Sequence, residues 1–178
     1  RALPAELLPY AGLFGQALLE MGTESEDYVK LSQRIGRLTG GIAPRTLIAP
    51  VRESDDTAAW LMLRGKATGE NAGELLAILR DVLLTPQLDN PERFRQIVLE
   101  AKASMEAGLV PMGHRVTSTR LRSHFHTAYR LDEMTGGIEQ LLFRGVWPSE
   151  STATGRAYWP IWRLCARRWS TGPGCWPT

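Results

Sequence analysis

Three histidines, two cysteines, two serines near the histidines and a run of arginines are the side chains here whose chemistry could define a site. His124 and His126 lie two residues apart in a stretch whose pattern predicts a helix, a spacing that turns them by about 200° to opposite sides. They cannot clasp one metal there, and His114 is ten residues upstream. A catalytic zinc takes about three protein ligands and keeps one position open. Neither HExxH nor the inverted HxxEH occurs in the sequence. Ser118 and Ser123 neighbour the histidines along the chain, but nucleophile and base are brought together in space, and no GxSxG, Walker loop or GxGxxG is present. Cys165 and Cys175 lack the CxxC spacing of a redox or zinc pair. No residue is therefore assigned as catalytic, cofactor-binding or metal-binding. Arg115, Arg120, Arg122 and Arg130 have the planar donors that suit phosphate. Beside Asp132 and Glu133, a solvated helix face is the simpler account of them.

The elements that would carry these residues punctuate well. Leu7, Ala11, Phe14, Leu18 and Met21 recur at helical spacing and predict a helix over residues 4–21, stopped by Gly22. A second helix starts near Glu26 and places Tyr28, Leu31, Ile35 and Leu38 on one stripe until Thr39-Gly40-Gly41. Residues 42–51 and 58–67 predict two antiparallel strands linked by the polar Arg52–Asp56 turn. Trp60, Met62 and Arg64 on one face of the second strand, with Ala59, Leu61 and Leu63 on the other, place that strand well inside a sheet. Asn71 with Glu74 three residues on predicts a capping box for a helix reaching Thr85-Pro86. Asn90, Pro91 and Glu92 start another helix that ends at Gly108. Further helices are expected over residues 113–130 and 137–143. Two strands followed by helix upon helix predict an α+β fold, an antiparallel sheet covered by helices on one face. Two strands make no stable sheet alone, so an incomplete domain with further strands elsewhere in a longer protein is expected.

Composition supports a globular chain: 178 residues, 43% hydrophobic and 22% charged. The net charge of +2 is unevenly spread. Residues 1–143 hold 16 Lys and Arg against 18 Asp and Glu, whereas residues 144–178 hold five Arg against Glu150 alone. The same terminal stretch has five of the six tryptophans and four of the eleven prolines, without a helical or strand period. Codons can be chosen for residues 145–178 that, read two bases further on, encode Leu, Val and Ala at helical spacing. An out-of-frame translation after about Phe143 is therefore expected, with a disordered natural tail as the alternative. No apolar run approaches the length of a membrane span, and Arg1-Ala-Leu-Pro4 resembles neither a signal peptide nor an ordinary start, as in a piece of something longer.

Several spaced segments carry a resemblance that composition cannot. They are Leu3-Pro-Ala-Glu-Leu-Leu-Pro-Tyr-Ala-Gly-Leu-Phe14, Glu20-Met-Gly-Thr23, Asp27-Tyr28, Thr39-Gly-Gly-Ile42, Asn90-Pro-Glu-Arg-Phe94 and Gly113-His114. From about Leu3 to Phe143 the chain resembles the third of four homologous domains in the presequence-protease branch, the C-subfamily, of the insulinase/pitrilysin zinc metallopeptidases. That region is called the peptidase-associated domain. The resemblance implies a zinc endopeptidase whose two bowl-like halves enclose a chamber and degrade short unstructured peptides such as cleaved targeting sequences. In that family the HxxEH helix belongs to the first domain and the last domain adds further catalytic groups. This sequence matches neither, so no zinc or catalytic residue is carried over, and zinc is expected only in the parent protein.

The expectation is a truncated, non-catalytic domain over residues 1–143 followed by an out-of-frame or disordered tail over 144–178. Its partners would be the other domains of the parent peptidase and, for the parent, unstructured peptides, with no nucleic acid and no membrane. It would reside in the cytoplasm or an organelle lumen. A non-enzymatic scaffold or subunit that keeps the peptidase fold for protein contacts is the alternative, and an Arg-rich nucleic-acid binder a third.

Overall fold

The computed structural model describes residues 5–149. The chain enters as a short 3-10 helix over Ala5–Tyr10 and continues as α1 (Ala11–Glu20). Pro9 lies inside that first segment, where its missing amide and ring disfavour regular α-helix. The single helix expected over 4–21 is thus two segments. Gly22 ends α1 in the left-handed region at φ +95, and a Cβ there would approach the Glu26 carbonyl oxygen to 2.8 Å.

Helix α2 (Tyr28–Leu38) is capped by Asp27, whose carboxylate accepts from the Lys30 amide at 2.8 Å. Strands β1 (Ile42–Pro50) and β2 (Thr57–Gly65) form an antiparallel hairpin with Leu47 opposite Trp60 and Arg45 opposite Met62. Then follow α3 (Ala72–Leu84), α4 (Pro91–Gly108), α5 (Gly113–Arg122), α6 (Thr127–Gly136) and α7 (Ile138–Ser149). Helices packed on one antiparallel sheet make this an α+β fold, as the element order implied.

The main core lies between α1 and α4. Leu13, Phe14, Ala17, Leu18 and Met21 meet Phe94, Ile97, Val98 and Ala101, and Leu61 packs against them from the sheet. Each of the larger side chains contributes about 2–3 kcal/mol by leaving water. Gly15 lets α1 lie close to β1, since a Cβ there would come within 2.7 Å of Pro44. A second cluster of Leu31, Ile78 and Val82 joins α2 to α3, with Ile42 and Leu63 of the sheet against it.

Four expectations need correction. Asn71 makes no side-chain cap bond at α3, so the capping box does not form, and Glu74 lies instead 3.8 Å from Arg34. The helix expected over 113–130 breaks into α5 and α6, because Ser123 Oγ donates to the Arg120 carbonyl at 2.6 Å and His126 Nδ1 accepts the Ala128 amide at 3.0 Å. The final helix does not stop at Phe143 but runs to Ser149. Among the described residues β2 pairs only with β1, so it is not an interior strand, and its outward Trp60 is 65% exposed. The rest of the terminal stretch, with Cys165 and Cys175, lies outside the described residues.

Candidate functional site

The structure separates the sequence-level candidates. His114 and His124 are exposed, and His126 is occupied as the cap of α6, edge-on to Tyr129 at 6.0 Å between centroids. No group of three His, Cys, Asp or Glu able to hold a metal occurs among the described residues, so they do not fit a zinc centre. Ser118 is exposed on α5, while Ser123 is buried and spent on its own helix end.

The arginine run resolves into ion pairs. Arg120 Nη1 lies 3.0 Å from Glu139 and 3.4 Å from the wholly buried Glu133, and Arg130 Nη1 lies 2.8 Å from Glu139. A hydrogen bond from Arg120 to Glu139 holds the guanidinium above its usual value. Arg122 stacks over the Tyr129 ring at 4.2 Å. Glu133 Oε1 also accepts the Ile138 amide at 3.1 Å, so this buried acid ties α5 and α6 to the start of α7. With three of its members engaged in this way, the run is not an open phosphate-binding stripe.

Two other features have no such internal answer. On the sheet's outer face Leu47, Trp60 and Met62 form an apolar strip with Arg45 and Arg64 beside it. Pleating put these residues on one side and gave Ile42, Leu61 and Leu63 to the core on the other. The second feature is an open cleft of about 520 Å³ between α1, α2 and the start of β1, lined by Gly12, Gln16 and Glu20 of α1 and by Arg144 of α7. These α1 residues share one face because they recur every four positions.

Arg144 is 8% exposed and has no carboxylate within ion-pair distance among the described residues. Its Nη1 donates to the Ala101 carbonyl at 3.3 Å and touches Met105 Sδ at 3.1 Å, while its Nε is buried without a partner. Burial pushes the guanidinium down to about 10. Gln16 Oε1 is likewise buried and unpartnered. At the far end Glu20 is occupied by Arg93, at 3.4 Å, and desolvation raises its carboxyl above the ordinary value despite that cation. Sequence reasoning missed this constellation. Arg144 was grouped with the terminal stretch, and Gln16 is one polar position in an otherwise apolar helix; the only visible signal was the Gly12, Gln16, Glu20 spacing.

The model of the peptidase-associated family, the region associated with the C-subfamily of insulinase-type peptidases, matches residues 1–144, through Arg144 itself. The chain belongs to that family. Over 142 residues it is 37% identical to presequence protease 1, chloroplastic/mitochondrial, of Arabidopsis thaliana, covering 80% of this chain and 13% of that protein. It is 28% identical over 139 residues to protein HypA of Clostridium perfringens, covering 78% and 14%. It is 27% identical over 143 residues to the mitochondrial presequence protease of Danio rerio, covering 80% and 14%. The chain thus spans about one seventh of these relatives' length, and the peptidase-associated region is its peptidase-related part.

Proposed function

We propose that this chain is a non-catalytic wall of a peptide-enclosing chamber in a zinc-dependent endopeptidase that degrades short unstructured peptides. The supporting observation is the outward apolar strip of Leu47, Trp60 and Met62 on a sheet whose other face is backed by helices, in a chain whose relatives include presequence proteases. An unfolded peptide presents apolar side chains and free backbone groups, and a flat apolar strip gives it sequence-tolerant contact. Zinc and the water it activates would belong to another part of the parent, since the described residues supply no ligand set. The parent's other domains are this chain's partners in this reading. Its compartment is an organelle lumen or the cytoplasm, and no helix among the described residues is long and apolar enough to cross a membrane.

The test is the coding DNA on either side. An HxxEH helix upstream in the same frame supports the peptidase, and its absence over a length comparable to the relatives replaces it with a scaffold kept for protein contacts. In the assembled peptidase, Trp60→Ala should raise KM for an unstructured peptide about five- to tenfold, as expected for loss of an aromatic contact. Zinc content should stay unchanged. An unaltered KM would remove the strip from the peptide path.

A further inference from the structure

We propose that the cleft beside Arg144 binds the terminal carboxylate of a peptide, with Arg144 gripping the carboxylate and Gln16 Oε1 accepting a backbone amide of the same chain end. Arg144 is a buried cation with no counter-ion among the described residues. Its Nη1 alone is anchored, to the Ala101 carbonyl and Met105 Sδ. That leaves the Nε and Nη2 edge, the side-on fork that holds a carboxylate with two parallel hydrogen bonds. Nη2 lies over Gly12, 3.7 Å from where a Cβ would stand, so the missing side chain keeps that approach open.

Gln16 sits one helical turn along from Gly12, about 6 Å on. Its unpartnered oxygen calls for a donor, not a second anion. A chain end supplies both in sequence: a carboxylate, then amide N–H groups at up to about 3.5 Å per residue. Phosphate is a poorer fit, because all its oxygens are acceptors that would face Gln16 Oε1 and, another turn on, the Glu20 carboxylate. Leu19, Ile35 and Ile42 line the same cleft and offer an apolar last side chain a place to lie. At about 520 Å³ the space falls in the range of small-ligand sites. The site is built from this chain's own residues and does not depend on the chamber reading.

The experiment titrates the full 178-residue chain by calorimetry with acetyl-Ala-Leu free acid, its C-terminal amide, acetyl-Glu-Leu-amide and inorganic phosphate. The free acid should bind at least about tenfold tighter than either amide, the weight of a charge-assisted pair, and phosphate should not displace it. Arg144→Lys keeps the charge but loses the fork, and should weaken the acid at least about fivefold. Because Arg144 also bonds to Ala101, Gln16→Leu is the second variant; it leaves that bond alone and should weaken the acid several-fold while the thermal melt confirms folding. Equal binding of acid and amide, binding of the internal glutamate as tight as the terminus, no binding of the acid at about 10 mM, or a folded Gln16→Leu chain with unchanged affinity would each overturn the proposal.

Discussion

Arg144 carries its charge against its surroundings. The distance from 12.5 to about 10 corresponds to roughly 3 kcal/mol of solvation not recovered by the Ala101 and Met105 contacts. Arg144→Met, similar in length and apolar, should leave thermal stability unchanged or raise it by about 1–2 kcal/mol, unlike the loss that follows breaking a paired buried charge. Chemical denaturation of both chains measures this. Glu20 is shifted upwards, first by burial, with Arg93 opposing and Glu100 adding. Its proton is held more tightly in the fold, so its contribution to stability is full below the unfolded value of 4.5 and lost as pH rises through the folded value. With the side chain 38% exposed the effect stays below about 1 kcal/mol. Glu20→Gln should flatten the fall in stability above about pH 4.5, and an unchanged pH profile would remove Glu20 as its source. Gly22 is a backbone requirement: Gly22→Ala meets both positive φ and the Glu26 carbonyl, and should cost about 1–3 kcal/mol by the same measurement.

Helix starts show how local grammar and packing divide the work. Asn90 accepts the Arg93 amide at 2.9 Å ahead of Pro91, as its sequence implies, whereas Asn71 makes no such bond although its sequence looks equally good. Glu74, the partner a capping box requires, is turned toward Arg34, which also pairs with Asp81 at 2.8 Å and Glu26 at 3.4 Å. A tertiary cation outcompeted a local cap. Asn90→Ala should therefore cost about 1 kcal/mol and Asn71→Ala only a few tenths. Equal losses in paired urea denaturation curves would show that both caps form in solution. The α5–α6 break follows the same logic in reverse, since Ser123 and His126 satisfy backbone groups that a continuous helix would have used.

At the scale of the whole molecule, the purified chain should show no chelator-sensitive peptidase activity and hold no stoichiometric zinc. Cleavage of an unstructured peptide together with one tightly bound zinc per chain, by metal analysis, would contradict this. Deleting residues 150–178 should leave the thermal transition of the remaining chain unchanged if that stretch is out-of-frame text. A loss of several kcal/mol, the size of removing a large core group, would make it a structural element instead.

Much was legible in the sequence because short-range rules produce it. Hydrophobic period placed α1, α2, α3 and α4, glycine and proline marked their ends, and period-two alternation found the hairpin with the faces that the register confirms. The spaced segments from Leu3 to Gly113-His114 carried the family, since a pattern spread over many positions survives in one dimension. Burial and pairing could not be read that way. Trp60 has the same type and period whether it is covered or 65% exposed, and only the neighbours of β2 decide. Gln16 and Arg144 are 128 positions apart, so no spacing rule joins them. The packing of α7 against α4, with Arg144 reaching Ala101, is what carries that charge to the cleft where Gln16 lies, and an unpaired buried cation exists only once the fold has excluded water from it.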